Sequence, residues 1–239
     1  MQSYRRILLS GLLRTPTGLM NLLQMTVLSY YFGNNGRTPY VHYMLLLGIP
    51  AFLGQLIAAG VAPKLADKHG AATTFAQANV FAGLALLAAF ALFLCRPQQL
   101  TQALPFTLLI LLLFCNMFCC GLVNTVQSIL IADAADLTEK ESGIRRDGIF
   151  VSGQSLLIKL STGVSALLQG LVFAISGFSG TAVRQINRAL YAGADFATDP
   201  SFATPRFAMF FLFLCLPGIA YLLSALPYRK GRNPHKAPV

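Results

Sequence analysis

Long apolar runs separated by short polar breaks dominate this chain. The runs cover about Leu8 to Phe32, Val41 to Ala62, Ala72 to Cys95, Leu104 to Ala132, Gly148 to Gly177 and Phe207 to Leu226. A hydrocarbon core about 30 Å thick takes about 20 helical residues to cross, and each run is long enough. In lipid the backbone must satisfy its own hydrogen bonds, so runs of this kind fold as helices. The pattern therefore predicts an all-α, polytopic transmembrane bundle of six helices. Pro50 and Pro217 fall inside the second and sixth runs. Membrane helices tolerate such prolines because neighbours take up the freed carbonyls.

Composition agrees with the pattern. Only 11% of residues are charged, against about 25% in soluble domains. Mean hydropathy is +0.62. The net charge of +10 does not point to nucleic acid, because no basic stretch alternates with stacking aromatics. Lysines and arginines instead cap the apolar runs. One side collects Arg5, Arg6, Arg14, Lys64, Lys68, Lys140, Arg145, Arg146, Arg229, Lys230, Arg232 and Lys236. The other holds Arg37, Arg96, Arg184, Arg188 and Arg206. The richer side is cytoplasmic. That orientation predicts cytoplasmic termini and a basic cytoplasmic tail over 229–239. The segment Ser179 to Arg206 is the longest outer connection and reads as solvated, with room for a short surface helix.

The N-terminal run is interrupted by Arg14, Pro16 and Asn21, and no small-residue cleavage pattern follows. It reads as a ragged first span rather than a signal peptide. The cysteines (Cys95, Cys115, Cys119, Cys120 and Cys215) lie in or beside the runs and read as small apolar residues. His42, His69 and His235 are too scattered for a metal site. Without a buried acid pair or a nucleophile elbow, nothing points to an enzyme or to a cofactor.

Lys159 is the exception within the apolar pattern. It stands about 11 residues past the charged end at Asp147, roughly 16 Å along a helix and near mid-depth. A lysine there costs about 2.5–3.5 kcal/mol to insert. Its side chain is too short to reach water from that depth unless the site is already wet. Ser152, Ser155, Lys159 and Thr162 fall along one polar row, and Gln154, Ser161, Ser165 and Gln169 along a second. The fourth run carries Asn116, Cys120, Asn124 and Gln127 at helical spacing. Hydroxyls and amides of this kind serve as interhelical glue or line a path for a polyhydroxylated ligand. Packing accounts for them; it does not account for a cation.

The stretch from Ala132 to Gly148 reads ADAADLTEKESGIRRDG. It resembles the loop between the tenth and eleventh helices of the glycoside–pentoside–hexuronide:cation symporters, in the major facilitator superfamily. Asp133, Asp136, Glu139, Gly143, Arg145, Asp147 and Gly148 carry the match, and Leu137 and Thr138 replace the family's Tyr-Gly. The following GQSLLIKLSTG is similar to the family's eleventh helix, with its lysine at Lys159.

The resemblance implies a sugar:cation symporter of which this chain supplies the C-terminal six helices. An N-terminal six-helix half would be its partner and would hold the coupling carboxylates for Na+ or H+. Lys159 would face the central cavity, with Gln154, Ser155 and Asn124 as substrate hydrogen-bonders. Asp133, Asp136, Arg145 and Arg146 would form a cytoplasmic gate. The alternative reading is a non-transporting remnant or a membrane interaction module. The expected partners are a small sugar, a monovalent cation and the lipid bilayer, without nucleic acid.

Overall fold

Apolar runs of this length can satisfy their backbone only by coiling, and each of them is helical. A computed structural model describes residues 2–143, 147–176 and 180–228. The helices are α1 (Gln2–Leu13), α2 (Gly18–Val27), α3 (Val41–His69), α4 (Ala71–Cys95), α5 (Ala103–Ser142), α6 (Asp147–Ile175), α7 (Gly180–Tyr191), α8 (Ala203–Phe210) and α9 (Leu216–Ser224). No strand occurs among the described residues. Five stretches are long and apolar enough to cross a membrane: α3, α4, α5, α6 and the α8–α9 stretch Pro200–Tyr228.

The expected first span is helical but not one helix. Pro16 has no N–H to give the Leu12 carbonyl. The Thr15 hydroxyl donates to that carbonyl instead, at 2.8 Å. The chain tightens into a 3₁₀ turn at Thr15–Thr17, which splits α1 from α2. Wide π turns follow at Leu28–Phe32 and, in the last span, at Phe211–Cys215.

Two expectations about loops need correction. The charged stretch after Ala132 is not a loop over most of its length, because α5 runs on to Ser142. Ala, Leu, Glu and Lys there are good helix formers, and no glycine interrupts them before Gly143. Gly143 adopts φ +70° and donates its N–H to the Glu139 carbonyl at 2.8 Å, closing the helix.

The segment before Arg206, expected as a solvated outer connection, is packed onto the helices instead. Its α7 buries Ile186 and Leu190, and Phe196 behind it is fully buried. Tyr30 and Asn35 both donate to the Asn187 side-chain carbonyl at 3.0 Å, and Arg37 donates to the Leu190 carbonyl. The Phe196 N–H donates to Asn34 at 2.8 Å. Asn34 and Asn35 reach these positions from a left-handed turn, with φ of 45° and 54°, a conformation asparagine tolerates. Buried Arg206 donates to the Phe196 carbonyl at 2.9 Å and to the Ala197 carbonyl.

Arg206→Ala strands both carbonyls, each at a cost of about 1–3 kcal/mol. The expected outcome is a loosened cap. Trypsin should cleave the solubilised protein after Arg184 or Arg188 at least about tenfold faster, which corresponds to 1.4 kcal/mol. An unchanged cleavage rate would mean the cap is held by its apolar contacts alone.

Close helix packing rests on small residues. A Cβ on Gly121 of α5 would meet the Gln55 carbonyl of α3 at 2.7 Å. A Cβ on Gly83 of α4 would meet the Gly218 carbonyl of α9, also at 2.7 Å. Asn79, Ser224 and Ser10 tie α4, α9 and α1 together: Ser224 donates to Asn79 at 2.8 Å, and Ser10 donates to the Ser224 carbonyl at 2.6 Å.

Candidate functional site

α6 packs along one face only. Tyr4 of α1 stacks edge-on against Phe150 with ring centres 4.5 Å apart. Gly11 lies against Leu157. Ser161 and Ser165 both donate to the Thr15 carbonyl, at 2.6 and 3.1 Å. These partners run in step, so α1 and α2 lie parallel to α6. Only 6% of the apolar stretch of α6 is buried, and 11% of that of α3, against 44% for α4 and for α5.

At about 100° per residue, Lys159 lies roughly 180° round the helix from Phe150, opposite this seam. Ser155 and Thr162 flank it, and all three are exposed. The same uncovered face holds Gly148, Ser152 and Gly163. Leu156, Leu160, Leu167 and Leu171 form an apolar flank beside it. A helix surrounded by lipid would be apolar all round. This one is divided into a packed seam, an apolar flank and a polar, small-residue face.

The two serine rows therefore part company. Ser161 and Ser165 are glue, holding the carbonyl beside the Pro16 break. Ser152 and Thr162 turn their hydroxyls to their own helix, donating to the Ile149 and Ile158 carbonyls at 2.9 and 3.3 Å. Gln154 is only partly covered and lies toward the seam, whereas Ser155 stands free beside Lys159.

The polar row on α5 also divides. Asn116 is fully buried and donates to the Ala82 carbonyl of α4 at 3.1 Å. Cys120 meets the Tyr221 hydroxyl at 2.9 Å. Buried Gln127 accepts from Arg14. Asn124 alone of the four is exposed.

Arg14 departs from the charge pattern, which grouped it with the cytoplasmic cations. Its neighbour Thr15 is held by Ser161, so Arg14 sits at the level of Lys159. Its guanidinium lies 5.9 Å from the centre of the Phe75 ring. The chain thus carries two cations at one depth. Arg14 is turned into the packing against α4 and α5, and Lys159 is turned away from it.

Two polar residues escaped the sequence reading. Asn21 and Gln24 on α2 are exposed and open into a cavity of about 60 Å³ between α2, α3 and α5. Its remaining walls are apolar, including Leu47, Leu113 and Met117. Their spacing of three on one helix was the available signal; Asn21 had been read only as an interruption. Asp133 and Asp136 are exposed on the final turns of α5. Arg145 and Arg146 lie outside the described residues.

No solved structure matches the chain. An uncharacterized 29.9 kDa protein in the crtE 3′ region of Pseudescherichia vulneris is 26% identical over 189 residues, which is 79% of this chain. The alignment spans 62% of that relative's length. The family described as MFS/sugar transport protein matches residues 1–229. Multi-pass helices, the divided α6 and this match agree: the chain belongs to the MFS/sugar transport protein family.

Proposed function

We propose that this chain forms the C-terminal six-span half of a sugar:cation symporter of the bacterial inner membrane, with both termini cytoplasmic. The observation that carries the proposal is the uncovered polar face of α6, centred on Lys159. A lone cation opposite a packing seam has no structural use there, and a mid-membrane charge is costly. Facing a second bundle across an aqueous cavity, it would have both solvent and a counter-charge. Superfamily substrate sites lie near the midplane between two such halves.

In this arrangement Lys159 offsets the coupling carboxylates of the N-terminal half, where Na+ or H+ binds. Ser155 and Asn124 are free to hydrogen-bond a sugar, with Gln154 at the edge. Asn21 and Gln24 add two amides on α2. Asp133 and Asp136, with Arg145 and Arg146, form a cytoplasmic gate that opens and closes as the halves rock.

The test is reactivity in membranes, after replacing the five native cysteines. Ser155→Cys and Thr162→Cys are expected to react with a membrane-impermeant thiosulfonate. Leu156→Cys and Leu167→Cys, on the apolar flank, should stay unlabelled. Equal labelling of both pairs, or of neither, would remove the cavity from the proposal.

A further inference from the structure

A groove of about 600 Å³ lies between α3, α4 and α5, away from the Lys159 face. It runs along α4 from Thr74 to Ala88, roughly 21 Å of helix. One leaflet of a bilayer contributes about 15 Å of hydrocarbon. The groove is therefore long enough to take an acyl chain through the depth of one leaflet. Phe81, Leu84, Phe118 and Leu122 line its apolar length. Phe81 is 61% exposed and Leu84 50% exposed, so the wall is open along its side.

The polarity is gathered at one end. His69, Thr74 and Gln77 line the groove beside the α3–α4 turn at Gly70. Thr74 is already engaged, donating to the Leu65 carbonyl at 3.1 Å. His69 and Lys68 end α3 and are exposed, as is Lys64 one turn earlier. Round the helix from His69, Lys68 lies about 100° away, Lys64 about 140° and Asp67, the single acid of this turn, about 160°. The groove thus has an apolar channel and a polar end at His69, with the exposed Lys68 next to it at the end of α3.

We infer that this groove binds one phospholipid with an anionic headgroup. One acyl chain lies along α4 between Phe81 and Phe118, and the phosphate meets Lys68 and His69. Each basic side chain near a surface favours an anionic lipid by roughly fivefold.

The chain contains 0 tryptophans, so one introduced indole reports alone. Phe81→Trp places it in the groove wall at an exposed position. Leu56→Trp, on the opposite side of α3, is the reference at similar depth and is 59% exposed before substitution. Each variant is reconstituted in phosphatidylcholine vesicles carrying brominated phosphatidylglycerol or brominated phosphatidylcholine. Quenching at position 81 is expected to favour the phosphatidylglycerol by roughly fivefold or more. The preference should be absent at position 56 and abolished by Lys68→Gln with His69→Gln. Three outcomes would overturn the site: equal quenching by both lipids at 81, an equal preference at 56, or a preference that survives the double substitution. Shielding of position 81 from both lipids would also overturn it, and would mean that a second copy of the chain covers the groove.

Discussion

Lys159→Val is expected to abolish cation-coupled sugar uptake by a complete transporter carrying this half, with membrane insertion unchanged. The substitution removes a cation that costs about 2.5–3.5 kcal/mol to bury in lipid. It touches none of the seam formed by Phe150, Leu157, Ser161 and Ser165, so the fold has no reason to suffer. In the proposed arrangement, what is lost lies across the cavity. Carboxylates that faced a lysine become unpaired, and their affinity for protons rises. Cation binding should fail before sugar binding does. The measurement is radiolabelled sugar uptake with and without a cation gradient, normalised to protein in the membrane. Wild-type rates with normal cation dependence would make the lysine a bystander. Lys159→Arg separates charge from shape. If charge alone matters, the arginine variant retains coupling.

The second large effect is structural. Gly83→Val is expected to leave little folded protein. A Cβ at Gly83 would stand 2.7 Å from the Gly218 carbonyl and 2.8 Å from Leu222 Cγ. The obstacle is backbone, so no rotamer change relieves it, and α4 and α9 must separate. Overpacking of this kind costs about 1–3 kcal/mol and occasionally more. In a membrane bundle, close packing is itself a main source of association. Gly60→Ala is the control, since nothing lies within 4 Å of its added carbon. The monodisperse fraction in detergent and its thermal midpoint give the comparison. A Gly83→Val protein as stable as wild type would show that the α4–α9 interface is not tight in solution.

The spans were legible because the bilayer imposes a length on any apolar run. Lys159 was legible for the same reason: a charge in that run has to be accounted for. The cap around α7 was less so, although Val183, Ile186 and Leu190 recur at helical spacing and mark an amphipathic helix. Acidic residues after Ala132 were read as a loop, and helix-forming neighbours outweighed them. The division of the serines could not be read from α6 itself. Ser161 differs from Ser155 only in facing Thr15, a residue 146 positions away. The partners of Arg14, Gln127 and Phe75, could not be read because a charge count takes no account of which helix lies beside it.

The break at Pro16 has a consequence for how the protein is made. α1 has 12 residues and α2 has 10, and neither alone reaches across about 30 Å of hydrocarbon. The carbonyl at the break finds its partners in Ser161 and Ser165, 146 and 150 residues later. At about 5–20 residues per second, a ribosome takes roughly 7–30 s to deliver them. Until then the Thr15 carbonyl has only the Gly18 N–H of its own turn, although Arg14 meets its Gln127 acceptor earlier, once α5 has been made. The α1–α2 segment is therefore fully secured only when α6 arrives, long after it is made.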